Sequence, residues 1–166
     1  MGVRIVDAFI EIPKGSSNKY EYDKEKKRFI LDRVLYSPMF YPADYGFIED
    51  TLALDGDPLD ILVLTTYPTF PGCIVPTRVI GALIMSDDKG EDEKLLAVPV
   101  GDPRYATIQS IHDLPPHTLK EIAHFFQVYK DLENKKTDIK GWVGPEQAAE
   151  LIDSCKERFR EGVKHV

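Results

Sequence analysis

Apolar and polar residues alternate near the start of the chain, where Val6, Ala8, Ile10 and Ile12 are interleaved with Asp7, Phe9 and Glu11. A period of two puts the first set on one face of a strand. The run Pro13-Lys14-Gly15-Ser16-Ser17-Asn18 breaks it. Two more strands are expected over 19–23 and 28–35, joined as a hairpin by the charged turn Lys24-Glu25-Lys26-Lys27. Residues 60–65 form a short unbroken apolar run, the pattern of a strand covered on both faces. Strand signals return at 73–85 and 94–100, separated by an acidic loop at 86–93. The period then changes. Leu119, Ile122, Phe126 and Tyr129 recur at helical spacing and predict a helix over 116–132. A second helix opens at Pro145, with Glu146 complementing its positive end; Ala148, Leu151, Ile152, Cys155 and Phe159 form its stripe, and Gly162 is the expected stop. Strands first and helices afterwards predict an α+β fold dominated by β, a small closed barrel with two C-terminal helices packed outside.

Composition narrows what such a fold does. With 43% hydrophobic and 30% charged residues over 166 positions, the chain reads as one globular domain. No apolar run reaches the roughly 20 residues of a membrane-spanning helix. Asp7 and Glu11 interrupt any signal-peptide core. Gly2 fits the first position of a myristoylation motif, but neither Val6 nor Asp7 supplies the required Ser or Thr. The expectation is a cytoplasmic protein without a membrane partner. Cys73 and Cys155 stand alone, which predicts buried free thiols. A net charge of −7 argues against a nucleic-acid partner. It leaves room for a small anion, because a bound metal reverses the local sign.

Many common catalytic motifs are absent: no Walker A, G-x-S-x-G, H-E-x-x-H or dinucleotide fingerprint. His112, His117, His124 and His165 lack metal-ligand spacing. The acidic run Asp55-Gly56-Asp57-Pro58-Leu59-Asp60 is the informative feature. Three aspartates so close repel one another unless cations or protons compensate them. Oxygen donors without Cys or His suit Mg²⁺, Mn²⁺ or Ca²⁺. Taken alone, the run is equally compatible with a solvated acidic turn, since Asp-Gly and Asp-Pro are ordinary turn residues. An EF-hand fits poorly, because Asp60 stands where glycine is required and Thr66 where glutamate is. The second acidic loop, with Asp87, Asp88 and Asp92, also lies between strands and is able to face the first, although taken alone it reads more readily as a solvated charged hairpin. Glu11 and Glu21 add strand carboxylates; Lys19, Arg33 and Lys94 add cations at strand positions. Carboxylates for cations beside Lys and Arg for phosphate oxygens make up a metal–phosphate site.

These segments together resemble family I soluble inorganic pyrophosphatases. D-G-D-P-L-D-I at 55–61 matches the family's D-x-D-P-x-D signature. Around it stand Glu11 in E-I-P-K-G, Lys19-Tyr20-Glu21, Arg33, and Y-P-A-D-Y-G at 41–46. Then come Asp87, Asp92 and Lys94 in D-x-x-G-E-D-x-K, and H-F-F-x-x-Y-K-D-L-E at 124–133. Asp88 departs from the pattern, because several members carry Glu there. The resemblance implies a five-stranded OB-type barrel with two helices, in a single catalytic domain over 1–166. It implies hydrolysis of inorganic pyrophosphate with several Mg²⁺ ions per site, with Mn²⁺ able to stand in. Asp55, Asp60, Asp87 and Asp92 would ligate two activating metals, and Glu21 and Glu11 those arriving with substrate. Asp57 would take a proton from the attacking water, with Tyr45 close by. Lys19, Arg33, Tyr41, Lys94, Tyr129 and Lys130 would hold phosphate oxygens. Short members of the family resemble the hexameric prokaryotic type, so a homohexamer is expected. Two rivals stay open at this stage: a hydrolase of nucleotides or another phosphoanhydride, and an OB-type binding module without catalysis.

Overall fold

The computed structural model describes residues 3–164, so Gly2 and His165 lie outside the described residues. Among the described residues, nine strands run β1 (Arg4–Ile12), β2 (Asn18–Asp23), β3 (Arg28–Val34), β4 (Asp44–Phe47), β5 (Asp60–Val63), β6 (Ile74–Asp87), β7 (Gly90–Glu91), β8 (Lys94–Pro99) and β9 (Asp138–Val143). Helix α1 (Pro116–Val128) precedes β9, and α2 (Pro145–Lys164) follows it. Five strands close on themselves in the order β1-β4-β5-β8-β6, because β6 pairs back onto β1. This ring with two helices is the expected OB-type, strand-dominated α+β architecture. All its pairings are antiparallel except β5 with β8. The β2–β3 hairpin forms a separate two-stranded sheet beside it.

Both faces of the ring strands are covered. Leu62, Leu96 and Phe126 belong to one buried cluster, which α1 completes. Ile61, Leu95, Ala148 and Ile152 belong to another, which α2 completes. Ile61, Leu62 and Val63 are fully buried, as an unbroken apolar run demands. In β1 the alternation holds too: Val6, Ala8, Ile10 and Ile12 are the buried set. The ring closes between β1 and β4 only because residue 46 is glycine. A Cβ there would lie 1.8 Å from the Phe9 carbonyl oxygen.

Several local expectations need correction. Strands β4 and β9 were not signalled, the first because its four buried residues offer no alternation. Strand β6 runs on to Asp87, so the acidic segment begins on a strand rather than in a loop. Helix α1 stops at Val128, short of 132; the chain turns at Lys130 (φ −105°, ψ 5°) and enters a 3₁₀ turn, Asp131–Glu133, closed by left-handed Asn134. Helix α2 runs past Gly162 to Lys164, since a helical glycine costs only about 1 kcal/mol against alanine. Cys155 is buried but Cys73 only half-buried, and both are free thiols. The exposed positions of His117 and His124 agree with their reading as surface residues.

Candidate active site

One end of the ring opens into a cleft of about 440 Å³. Strands β5 and β8 begin there, which puts Asp60 and Lys94 side by side in parallel register. Lys94 is 1% exposed. Its Nζ donates to Tyr45 Oη at 2.6 Å, Asp60 Oδ2 at 3.1 Å and Asp92 Oδ1 at 3.2 Å. The ammonium also lies over the rings of Tyr45 and Phe126, about 5 Å from each centroid. Burial pulls the Lys94 pKa down, but Asp60 and Asp92 together hold it above the usual lysine range. Lys94 is therefore a fixed cation.

The loop between β4 and β5 brings in two more carboxylates. Its turn has Gly56 at φ +91°, with Ala53 N donating to Asp57 O at 2.7 Å and Gly56 N to Ala53 O at 3.1 Å. Asp55 accepts from Asp57 N at 3.0 Å, and both side chains line the cleft. Across it, the end of β6 supplies Asp87, whose Oδ2 lies 3.7 Å from Lys130 Nζ. Burial lowers the Lys130 pKa, with Asp87 opposing.

The hairpin forms another wall. Lys19 pairs with Arg33 in register, whereas Tyr20 pairs with Leu31, so Asp32 is the extra residue of a bulge. That bulge turns the consecutive residues Asp32 and Arg33 both into the cleft. Asp32 Oδ2 accepts from Lys19 Nζ at 3.1 Å and Arg33 Nε at 3.0 Å. Burial pushes the Asp32 pKa up, but the two cations outweigh it and leave it below the usual carboxylate range. Glu21, two residues from Lys19, shares the cleft with it as the strand spacing predicts. Glu11 accepts from Tyr22 N at 2.9 Å. Burial is the main cause that raises Glu11 to about 7.

All fourteen candidate residues except Tyr41 line this one cleft. Tyr41 is 1% exposed and packs behind Tyr45, with ring centroids 5.4 Å apart and the rings tilted. It supports the wall rather than facing the space. Asp88 is likewise absent from the lining. Sequence reasoning missed Asp32, Lys24 and Lys89, which do line it. Asp32 was findable only through the bulge, which has no sequence signal; the two lysines sit in charged turns that read as solvated.

The cleft fits a hard divalent cation in its chemistry. Among the described residues its carboxylates come without any His or Cys. Burial raises Asp92, with Lys94 opposing, and it raises Asp55 as well. Among the described residues no group of three or more His, Cys, Asp or Glu side chains is gathered tightly enough to enclose an ion. Mutual repulsion spreads the carboxylates, and Lys94 occupies the position between Asp60 and Asp92.

A family model described as inorganic pyrophosphatase matches residues 8–160. The inorganic pyrophosphatase of Geobacillus stearothermophilus is 66% identical over 158 residues, covering 95% of this chain and 96% of that protein. That of Methanosarcina acetivorans is 54% identical over 158 residues, covering 95% and 94%. The crystal structure of inorganic pyrophosphatase from Thermus thermophilus superposes with a TM-score of 0.92 at 46% identity, covering 96% of this chain and 97% of that one. By both the family match and these identities, the chain belongs to the inorganic pyrophosphatase family.

Proposed function

We propose that this chain hydrolyses inorganic pyrophosphate to two phosphates with Mg²⁺, by direct attack of water. The observation that carries this reading is one cleft lined by six aspartates and by Lys19, Arg33, Lys94 and Lys130. A compact polyanion with divalent cations needs both signs within its own dimensions. The family membership supports the same substrate.

In this reading Asp55, Asp60, Asp87 and Asp92 would hold the activating Mg²⁺ ions, and Glu21 and Glu11 those entering with pyrophosphate. When bound, such cations lower the pKa of water and neutralise charge on phosphate oxygens, and Mn²⁺ offers similar chemistry. Asp57, exposed at the turn and free of any cation partner among the described residues, accepts the proton of the attacking water. Lys94 and Tyr45 present a cation and a hydroxyl beside Asp60. Lys19, Arg33, Tyr129 and Lys130 bind phosphate oxygens and align the bond to be broken. Tyr41 acts by packing on Tyr45 and Phe125. Because among the described residues no Ser, Cys or His lines the cleft, the reading has no phosphoenzyme.

We read residues 1–166 as a single catalytic domain of a cytoplasmic enzyme that assembles as a homohexamer. Among the described residues no helix is long and apolar enough to cross a membrane. Tyr36, Phe40, Tyr67 and Phe70 are exposed apolar side chains that assembly would cover. The net charge of −7 disfavours nucleic acid. The test is phosphate release from pyrophosphate and from ATP, each with Mg²⁺ and with chelator. Release from pyrophosphate that chelator abolishes supports the reading. Preference for ATP would make the chain a nucleotide hydrolase, and release from neither would leave a binding module.

A further inference from the structure

Glu133 lies in the 3₁₀ turn after α1, behind the cleft rather than on its surface. Its side chain is 6% exposed. Oε1 accepts from Arg33 NH1, across 100 residues of sequence. Oε2 is buried and, among the described residues, has no hydrogen-bond partner. Leaving a buried carboxylate oxygen unpaired is unfavourable, so the contact with Arg33 is what holds the Glu133 side chain in this place.

Arg33 is held at two edges. Nε donates to Asp32 and NH1 to Glu133, which leaves its second terminal nitrogen, NH2, without a protein partner among the described residues. The two acids differ. Asp32 lines the cleft and is shared with Lys19, so an entering anion competes with it. Glu133 does not line the cleft, and water has little access to replace it. The pair also spans two bodies with no strand hydrogen bonds between them: Arg33 belongs to the separate β2–β3 sheet, and Glu133 to the turn that follows α1.

We infer that Glu133 is a positioning residue for pyrophosphate binding. It anchors the Arg33 guanidinium from behind and leaves the remaining N–H groups aimed at a phosphate oxygen. A planar guanidinium gains its advantage from fixed orientation, which a single exposed carboxylate does not impose. The inference rests on the proposed role of Arg33 in holding phosphate.

The experiment measures kcat and KM for Mg²⁺-pyrophosphate in Arg33→Ala, Glu133→Gln, Glu133→Asp and the double variant Arg33→Ala/Glu133→Gln. Gln keeps the shape but removes the charge; Asp keeps the charge on a shorter arm. Expected is a KM about tenfold higher in Glu133→Gln with kcat changed much less, as for loss of one oriented charged contact. Glu133→Asp recovers part of that affinity, and the double variant binds no worse than Arg33→Ala alone. A parental KM in Glu133→Gln beside a raised KM in Arg33→Ala overturns the inference. So does a double variant whose losses multiply. A parental KM in Arg33→Ala fails differently: it removes Arg33 from substrate binding, and the anchor loses its purpose with it.

Discussion

Asp60 and Lys94 open neighbouring strands in parallel register, and Lys94 Nζ lies 3.1 Å from Asp60 Oδ2. The only parallel pairing of the ring is the one that makes this contact. In parallel register, partnered residues at the strand starts project from the same end of the sheet. The strand order therefore delivers a buried cation and an acid together to the cleft.

Replacing Lys94 by Met keeps the bulk and removes the charge. Asp60 and Asp92 then face each other without their shared ammonium. Breaking such a buried pair costs about 3–5 kcal/mol in metal-free protein. The expected result is a lower melting temperature in chelator, with Mg²⁺ restoring more stability to Lys94→Met than to the parent. Scanning calorimetry with and without Mg²⁺ checks it; equal Mg²⁺ responses would show that Lys94 and the cations do not share these carboxylates. Turnover should fall by about a hundredfold, as for loss of a fixed charge at the reacting group.

Asp57→Asn removes one proton acceptor and almost nothing else. Asp57 lines the cleft, and its backbone, not its side chain, makes the turn contacts to Asp55 and Ala53. A general base contributes roughly 10²–10⁴ in rate, so kcat should drop within that range. Mg²⁺ and pyrophosphate binding, followed by calorimetry, should stay near parental. A parental kcat would assign the proton to another acceptor.

Asp44 shows how support for the site was illegible in the sequence. It is fully buried, in the strand beside Tyr45. Oδ1 accepts from Lys14 N at 2.8 Å, and Oδ2 accepts from Thr69 N at 3.0 Å and from Thr69 Oγ1. Since each oxygen takes a backbone N–H, an Asn side chain in either orientation sets its NH₂ against a donor. Asp44→Asn should therefore lose about 3 kcal/mol of stability, read from the shift in denaturant midpoint at constant slope. A loss close to zero would mean that the two loops do not depend on Asp44.

The sequence made most of the cleft's chemistry readable because charged residues at strand positions have few alternative uses. Asp55, Asp57 and Asp60 declare themselves by crowding, and Lys94 by following an acidic loop into a strand. Residues whose part depends on long-range packing were hidden. Glu133 meets Arg33 across a distance no local pattern spans, and Asp32 reaches the cleft through a bulge. Tyr41 shares its motif with Tyr45 yet does not line the cleft, since it precedes strand β4 and strand alternation does not extend to it. Strand β4 is four residues long and buried throughout, Asp44 included, so it shows no alternation of apolar and polar positions.

Glu11 gives a pH dependence with a definite sign. Its native pKa of about 7 lies above the ordinary 4.5, mainly through burial. Below pH 4.5 both native and unfolded chains hold the proton, and there is no penalty. Between 4.5 and about 7 the unfolded chain releases it while the native state still binds it, so Glu11 reduces stability as pH rises. Above 7 the penalty is constant. Glu11→Gln keeps an oxygen for Tyr22 N and removes the charge. In chelator, the melting temperature of Glu11→Gln should rise relative to the parent from pH 5 to pH 8. A difference independent of pH would show that Glu11 is already compensated.

Arg158 controls the loop that carries Asp55 and Asp57 from the far side. Its NH1 donates to Leu52 O at 2.7 Å, and Leu52 N donates to Cys155 O at 3.0 Å. The backbone just before the turn thus hangs from α2 by two hydrogen bonds in opposite directions. Arg158 touches no residue proposed to hold phosphate, so its loss should loosen the carboxylates without altering the cations. Arg158→Leu should raise the Mg²⁺ concentration for half-maximal turnover several-fold, as expected for loss of one hydrogen bond of about 1 kcal/mol. The KM for pyrophosphate at saturating Mg²⁺ should remain parental. Activity measured across a Mg²⁺ titration separates the two quantities. A raised KM with an unchanged Mg²⁺ requirement would mean that α2 bears on the phosphate wall instead of on the aspartate loop.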